Sequence, residues 1–143
     1  MDIKDWIKRH EGFNSHPYFD SVGKLTIGWG RNIEDNGISK EEADALFEND
    51  FDAAVNDLMR FDWWVMQPKS VQDALINMRF NLGLHRLLGF TKMIQALQEK
   101  NYSKAAQEAL DSRWAKQVGD RAKDVALMIR EADASTTRTD TSD

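Results

Sequence analysis

Between His10 and Gly30 the chain reads HEGFNSHPYFDSVGKLTIGWG, a run that holds two carboxylates, Glu11 and Asp20, and the hydroxyl of Thr26. Two carboxylates in different surroundings suit cleavage of a glycosidic bond. One is kept protonated to donate to the leaving oxygen, and the other is ionised to act on water or on an oxocarbenium-like centre. Thr26 can hold a water by its hydroxyl. As bare spacing, the pattern E-x8-D-x5-T is unspecific among 24 acidic residues in 143. The competing reading of the same residues is two solvated surface acids, with Asp20 forming a turn. His10, His16 and His85 have no metal-ligand spacing and no cysteine to join them, so no metal and no cofactor is expected.

The elements that must position these groups follow from periodicity. Ile3, Trp6, Ile7 and His10 mark one face of a short helix that Asp2 can cap, with Glu11 at its C-terminal end. The helix dipole disfavours a carboxylate there unless a cation answers it. From Asn14 to about Glu34 the helical period vanishes, and Gly23, Gly28 and Gly30 punctuate β-branched and aromatic pieces. Two or three short strands with a tight turn at Ser21 to Lys24 are expected. Ser39 and Glu42 form a capping box ahead of a helix of roughly 20 residues, with Ala43, Leu46, Phe47, Ala54, Val55 and Leu58 on one face. Pro68 opens a helix that carries Val71, Ala74, Leu75 and Met78 inward and stops near Gly83. Shorter helices are expected at about 91–99, 103–110, 113–117 and 120–131. The terminal DASTTRTDTSD has no Leu, Ile, Val or Phe and is expected to be a disordered tail over 132–143.

Composition narrows the classes. A hydrophobic content of 41% in 143 residues suffices for one cored domain or two small lobes sharing a helix. The absence of cysteine excludes a disulfide scaffold. Residues 1–60 carry 13 acidic and 7 basic side chains, against 11 and 12 in residues 61–143. This distribution argues against a nucleic-acid partner, which would call for a basic face. No apolar run approaches the roughly 20 residues of a membrane span, and the N-terminus has no signal-peptide pattern. A soluble chain made in the cytoplasm, without stable membrane insertion, is expected.

The sequence resembles the lysozymes of T-even-type and related phages, the endolysins of glycoside hydrolase family 24. The resemblance is carried by EGF and YFDSVGKLTIGWG around Glu11, Asp20 and Thr26, and by ISKEEADALFENDFDAAV. It continues in ALINMRFNLG, GFTKMIQAL and SRWAKQVGDRA, in order over about residues 1–131. It implies an α+β, mostly α-helical, lysozyme-like two-lobed fold: a small antiparallel sheet in an N-terminal lobe (about 10–55), a long interlobe helix (about 39–60) and a helical C-terminal lobe (about 61–131, joined by helix 2–10). It also implies hydrolysis of the β-1,4 bond between N-acetylmuramic acid and N-acetylglucosamine in peptidoglycan, for host cell lysis. By the same resemblance Glu11 is the general acid, Asp20 the second carboxylate and Thr26 the holder of the attacking water, with inversion and carboxyl groups roughly 6.5–9.5 Å apart.

The resemblance further places Asn32, Phe80, Asn81 and Arg121 on the substrate side, with Arg121 beside the catalytic glutamate; for Phe80, packing in the core is the stronger expectation. Asn77 is implied to be structural. Arg31 stands where many relatives have a histidine, and an ion pair with Asp50 is expected. The turn between Asn32 and Ile38 is shorter than in some relatives, and Met93 and Glu108 replace small or amide residues that contact sugar. Phe61 to Met66, FDWWVM, is either an exposed aromatic platform or packing under an interhelix turn, with packing the stronger expectation. The implied partners are peptidoglycan glycan strands, and a holin to release a monomeric enzyme from the host cytoplasm to the wall. The rival readings are a lytic transglycosylase, which uses a single glutamate, and a non-catalytic wall-binding module on the same fold.

Overall fold

The computed structural model describes residues 2–141, with side chains described as far as Asp133. Ten helices and one three-stranded antiparallel sheet are formed among the described residues, which is the mostly helical α+β class expected. The chain divides into two compact units, Met1–Phe47 and Glu48–Asp143.

In the first unit, helix α1 (Ile3–Glu11) begins where the Asp2 carboxylate accepts the Asp5 N–H at 3.0 Å, and it stops at Gly12, φ 74°. α1 falls within this unit, whereas the sequence grouped it with the C-terminal lobe. Strands β1 (Asn14–Phe19), β2 (Leu25–Gly28) and β3 (Arg31–Asn32) lie side by side in chain order. Register pairs Tyr18 with Thr26 and Phe19 with Leu25 across one hairpin, and Thr26 with Asn32 across the next. Between Asn32 and Ile38, where the sequence suggests only a turn, the chain makes a one-turn helix, α2 (Ile33–Asn36). Asn32 Oδ1 accepts the Asp35 N–H to start it, and Gly37 at φ 61° ends it. Thr26 is the one buried residue described in this unit. Its cohesion therefore rests on strand ladders, caps and ion pairs more than on an apolar core.

Helix α3 (Lys40–Met59) starts in the first unit and continues into the second. The capping box closes as expected: Ser39 Oγ accepts the Glu42 N–H and Glu42 Oε1 accepts the Ser39 N–H. Of the six apolar positions read on its inner face, only Ala54 and Leu58 are buried. Arg31 does not pair with Asp50. Its guanidinium makes a two-pronged contact with Glu42 and donates to Gly37 O. Asp50 lies eight residues further along α3, roughly 12 Å at 1.5 Å per residue, and Glu42 is already oriented by its cap. Lys24, at the end of the β1–β2 turn, bridges Glu34 and Asp35 of α2.

The second unit holds the apolar core. Short α4 (Asp62–Val65) precedes α5 (Lys69–Leu82), which buries Val71, Ala74, Leu75 and Met78 as the periodicity requires. Then follow α6 (Leu84–Leu88), α7 (Thr91–Gln98), α8 (Tyr102–Leu110), α9 (Arg113–Val118) and α10 (Asp120–Thr141). α10 packs on α5 and α8, and α7 on α8. FDWWVM divides. Trp64 is buried with its indole N–H on Gln72 O, Phe61 and Trp63 pack half-buried against the core, and Val65 and Met66 are exposed. The expected tail begins inside α10: Ala132 is fully buried and Ser103 Oγ donates to Asp133. The helical backbone continues to Thr141, and residues 142–143 of the expected tail lie outside the described residues.

Candidate active site

Asp20 sits at the mouth of the β1–β2 hairpin. Its N–H donates to Lys24 O at 2.9 Å and its O accepts Gly23 N–H, closing the turn. Its Oδ1 accepts two more backbone donors, Val22 N–H at 3.0 Å and Lys24 N–H at 2.8 Å. Backbone donors held this way fix the carboxylate plane. Oδ2 takes no hydrogen bond among the described residues, so one oxygen holds the turn and the other is open to chemistry. The sequence identified Asp20 either as a turn former or as a catalytic acid; the geometry lets it be both.

Thr26, on the central strand, is 3% exposed. Its Oγ1 donates its single proton to Lys24 O at 2.9 Å. With that proton committed, the hydroxyl meets a water only as an acceptor. A water placed there must turn a proton toward Thr26, which leaves its other proton and its lone pairs to other groups.

Glu11 ends α1, and its carboxyl lies against the turn between β2 and β3. A methyl built on Gly30 would stand 2.6 Å from Glu11 Oε2, 2.8 Å from Cδ and 3.0 Å from Cγ. Gly30 also has φ 81°, so both backbone and space select glycine there. Sequence reasoning did not single out Gly30 as a neighbour of the acid; the only signal was a glycine in a W-G turn. Glu11, Asp20 and Thr26 thus belong to one unit: Glu11 reaches from the end of α1 to the β2–β3 turn, Asp20 lies on the β1–β2 turn and Thr26 on the central strand.

Charged partners brace this sheet. The Arg31 guanidinium, and then the Ser39 N–H, hold the Glu42 carboxyl down to a pKa of about 2. Asn32, and then Lys24, lower Asp35, while Asp35 raises Lys24. These groups are solvent-facing, so their contribution is screened. Asn32 has both ends of its amide on Asp35, since Nδ2 donates to Asp35 Oδ2 at 3.0 Å while Oδ1 caps α2.

The remaining predicted residues lie in the second unit. Arg121 on α10 donates from Nε to Asn77 Oδ1 at 2.7 Å and from Nη2 to Asn77 O at 3.1 Å, clamping α10 to α5. Asn81 Oδ1 accepts the indole N–H of buried Trp114 at 2.8 Å, which leaves the Asn81 Nδ2 amide protons to other acceptors. Phe80, beside it at the end of α5, is 36% exposed. Among the described residues no three His, Asp or Glu side chains gather as metal ligands, and no helix is long and apolar enough to cross a membrane.

A mostly helical chain with one small antiparallel sheet, its β1–β2 turn holding Asp20 and its β2–β3 turn meeting Glu11 from the end of α1, has a lysozyme-like α+β fold. The family model for phage lysozyme matches residues 8–133, and the chain belongs to that family. The chain is 28% identical over 157 aligned positions to "Probable T4-type lysozyme 1" of Dictyostelium discoideum, covering 89% of this chain and 92% of that protein. It is 27% identical to "Probable T4-type lysozyme 2" of the same organism, covering 86% and 90%. It also matches the "Pre-baseplate central spike protein Gp5" of Enterobacteria phage T4 at 28% identity, over 90% of this chain but 28% of that much longer protein. The family carries with it a lytic, muramidase-like glycoside hydrolase activity on peptidoglycan.

Proposed function

We propose that the chain is an inverting endolysin that hydrolyses the β-1,4 bond from N-acetylmuramic acid to N-acetylglucosamine. The observation that carries this reading is the division of Asp20, with Oδ1 tied to two backbone donors and Oδ2 open, beside a Thr26 hydroxyl that can only accept from water. Water lodged against Thr26 gives one proton to Asp20 and its oxygen to the anomeric carbon. Glu11 gives its proton to the departing oxygen as the glycosidic bond breaks, so the two carboxyl groups exchange protonation state and the anomeric configuration inverts. Asn81 Nδ2, the Phe80 ring and the Arg121 guanidinium are sugar-side contacts in this reading. Asn32, whose amide is engaged by Asp35, contributes through the position of its backbone. The enzyme acts after a holin releases it from the host cytoplasm to the wall.

Mass spectrometry of digested peptidoglycan separates hydrolysis from transglycosylation. Ends carrying one added water are expected, and 1,6-anhydro ends would overturn the reading. Proton NMR of the first-formed anomer decides between inversion and retention. Failure to clear permeabilised cells, with wall binding intact, would favour a non-catalytic module.

A further inference from the structure

Lys24 ends the β1–β2 turn with every polar group it carries engaged. Its N–H donates to Asp20 Oδ1 at 2.8 Å. Its carbonyl oxygen accepts twice, from the Asp20 N–H at 2.9 Å and from Thr26 Oγ1 at 2.9 Å. The backbone of one residue thus touches both the carboxylate and the hydroxyl that the proposed reaction sets around its water. The ammonium reaches to α2, where Glu34 Oε2 lies at 3.4 Å and Asp35 Oδ1 at 3.3 Å. Glu34 also accepts the Leu25 N–H through Oε1 at 3.3 Å, so one carboxylate holds the Lys24 side chain and the next residue's backbone. α2 is fixed in turn, since the Asn32 side chain bonds Asp35 twice and Arg31 donates to Gly37 O.

Solvent-facing ion pairs of this kind add little to stability, because water screens them. Their value here is geometric. The turn residues Ser21, Val22 and Gly23 are exposed, and Thr26 is the one buried residue described in this unit, so apolar packing does not hold the turn. A Lys24 peptide free to rock would carry the Asp20 carboxylate and the Thr26 hydroxyl with it. We propose that Lys24 is a positioning residue: its grip on Glu34 and Asp35 holds its own peptide still, and through that peptide sets the Asp20 carboxylate against the Thr26 hydroxyl. The consequence for turnover rests on the muramidase reading, whereas the grip itself does not.

Rates of reducing-end release from peptidoglycan by the full chain, read as kcat and KM apart, test this. Lys24→Met keeps the stem and the backbone groups and removes the ammonium. It is expected to lose about tenfold in kcat, part of the hundredfold that a full ångström of misplacement costs. Its KM stays unchanged and its thermal midpoint lies within about 3 °C of wild type. Lys24→Arg keeps a cation that meets both carboxylates and restores the rate. Glu34→Gln combined with Asp35→Asn leaves an oxygen for the Leu25 N–H and loses the same factor as Lys24→Met. Adding Lys24→Met to that pair costs nothing more, since all three changes break one grip. Lys69→Met, which breaks the exposed Lys69–Asp73 pair of α5, leaves kcat alone. Unchanged kcat in Lys24→Met, a loss that falls on KM or follows the midpoint, or losses that multiply in the triple variant overturn the proposal. Amide exchange at Lys24, followed by NMR, reads the grip without turnover. It speeds up in Lys24→Met, and an unchanged exchange rate also overturns the proposal. A wild type that releases no reducing ends overturns the muramidase reading instead, and the exchange result then decides the grip.

Discussion

Substituting Gly30 by alanine separates the fold from the chemistry. The new methyl costs twice. A non-glycine residue at φ 81° carries about 1–2 kcal/mol of backbone strain, which lowers the thermal midpoint by about 3–8 °C in a chain of this size. The methyl would also stand 2.6 Å from Glu11 Oε2, where ordinary contact begins at 3.4 Å. The carboxyl must therefore retreat by about 0.8 Å, the difference of the two. That retreat costs little stability, because the obstructing atoms are the far end of a flexible side chain. It costs much activity, since a misplacement near 1 Å lowers a rate on the order of a hundredfold.

Gly28→Ala supplies the control. Gly28 has φ 71°, and a methyl there meets nothing within 4 Å, so it incurs the strain without the displacement. Guanidinium unfolding and initial rates of reducing-end release, measured on both variants, give the comparison. Similar losses of stability are expected, with a rate loss on the order of a hundredfold in Gly30→Ala alone. If the two variants turn over alike, Gly30 does not set the position of the acid and the argument fails.

Other outcomes follow from the same contacts. Asp20→Asn keeps an oxygen for the Val22 and Lys24 N–H groups, so it should unfold within about 1 kcal/mol of wild type and lose on the order of a hundredfold or more in turnover. Asp20→Ala should lose the turn as well, visible as a lower midpoint. Glu42→Gln should lower the midpoint at pH 7, and Asp50→Asn should leave it unchanged, because Arg31 pairs with Glu42. The Glu42 carboxyl titrates at about 2 in the folded chain against an ordinary 4.5. Its stabilisation is thus complete above about pH 4.5 and fades as pH falls toward 2, and a midpoint-versus-pH curve for Glu42→Gln should lack that part of the acid limb. Asn77→Ala strands the Arg121 Nε donor and should cost about 1–3 kcal/mol in chemical unfolding.

Much of this arrangement was legible in the sequence where local rules decide. The Asp2 and Ser39–Glu42 caps, the strands before Asn32, the inward face Val71, Ala74, Leu75 and Met78, and the stop at Gly83 all follow from short-range chemistry. The short helices α2, α4 and α6 escaped because four or five residues cannot display a period. Leu46 and Phe47 sit on the apolar stripe of α3 yet stay exposed, which periodicity alone cannot foresee. The partner of Arg31 was misread because spacing ranks candidates by family position, whereas the capping box had already aimed Glu42. The contact of Gly30 with Glu11 joins residues on different elements, and nothing short of tertiary structure reveals it.

The divided duty of Asp20 has an evolutionary consequence. Aspartate and asparagine codons differ by one nucleotide, and here that one change leaves an oxygen where two backbone donors need it. If Asp20 acts on water as proposed, a hairpin that folds normally but no longer cuts is therefore a single point mutation away, with no compensating change required. A lineage that profits from gripping the wall rather than opening it could take that step at once, and return from it as easily.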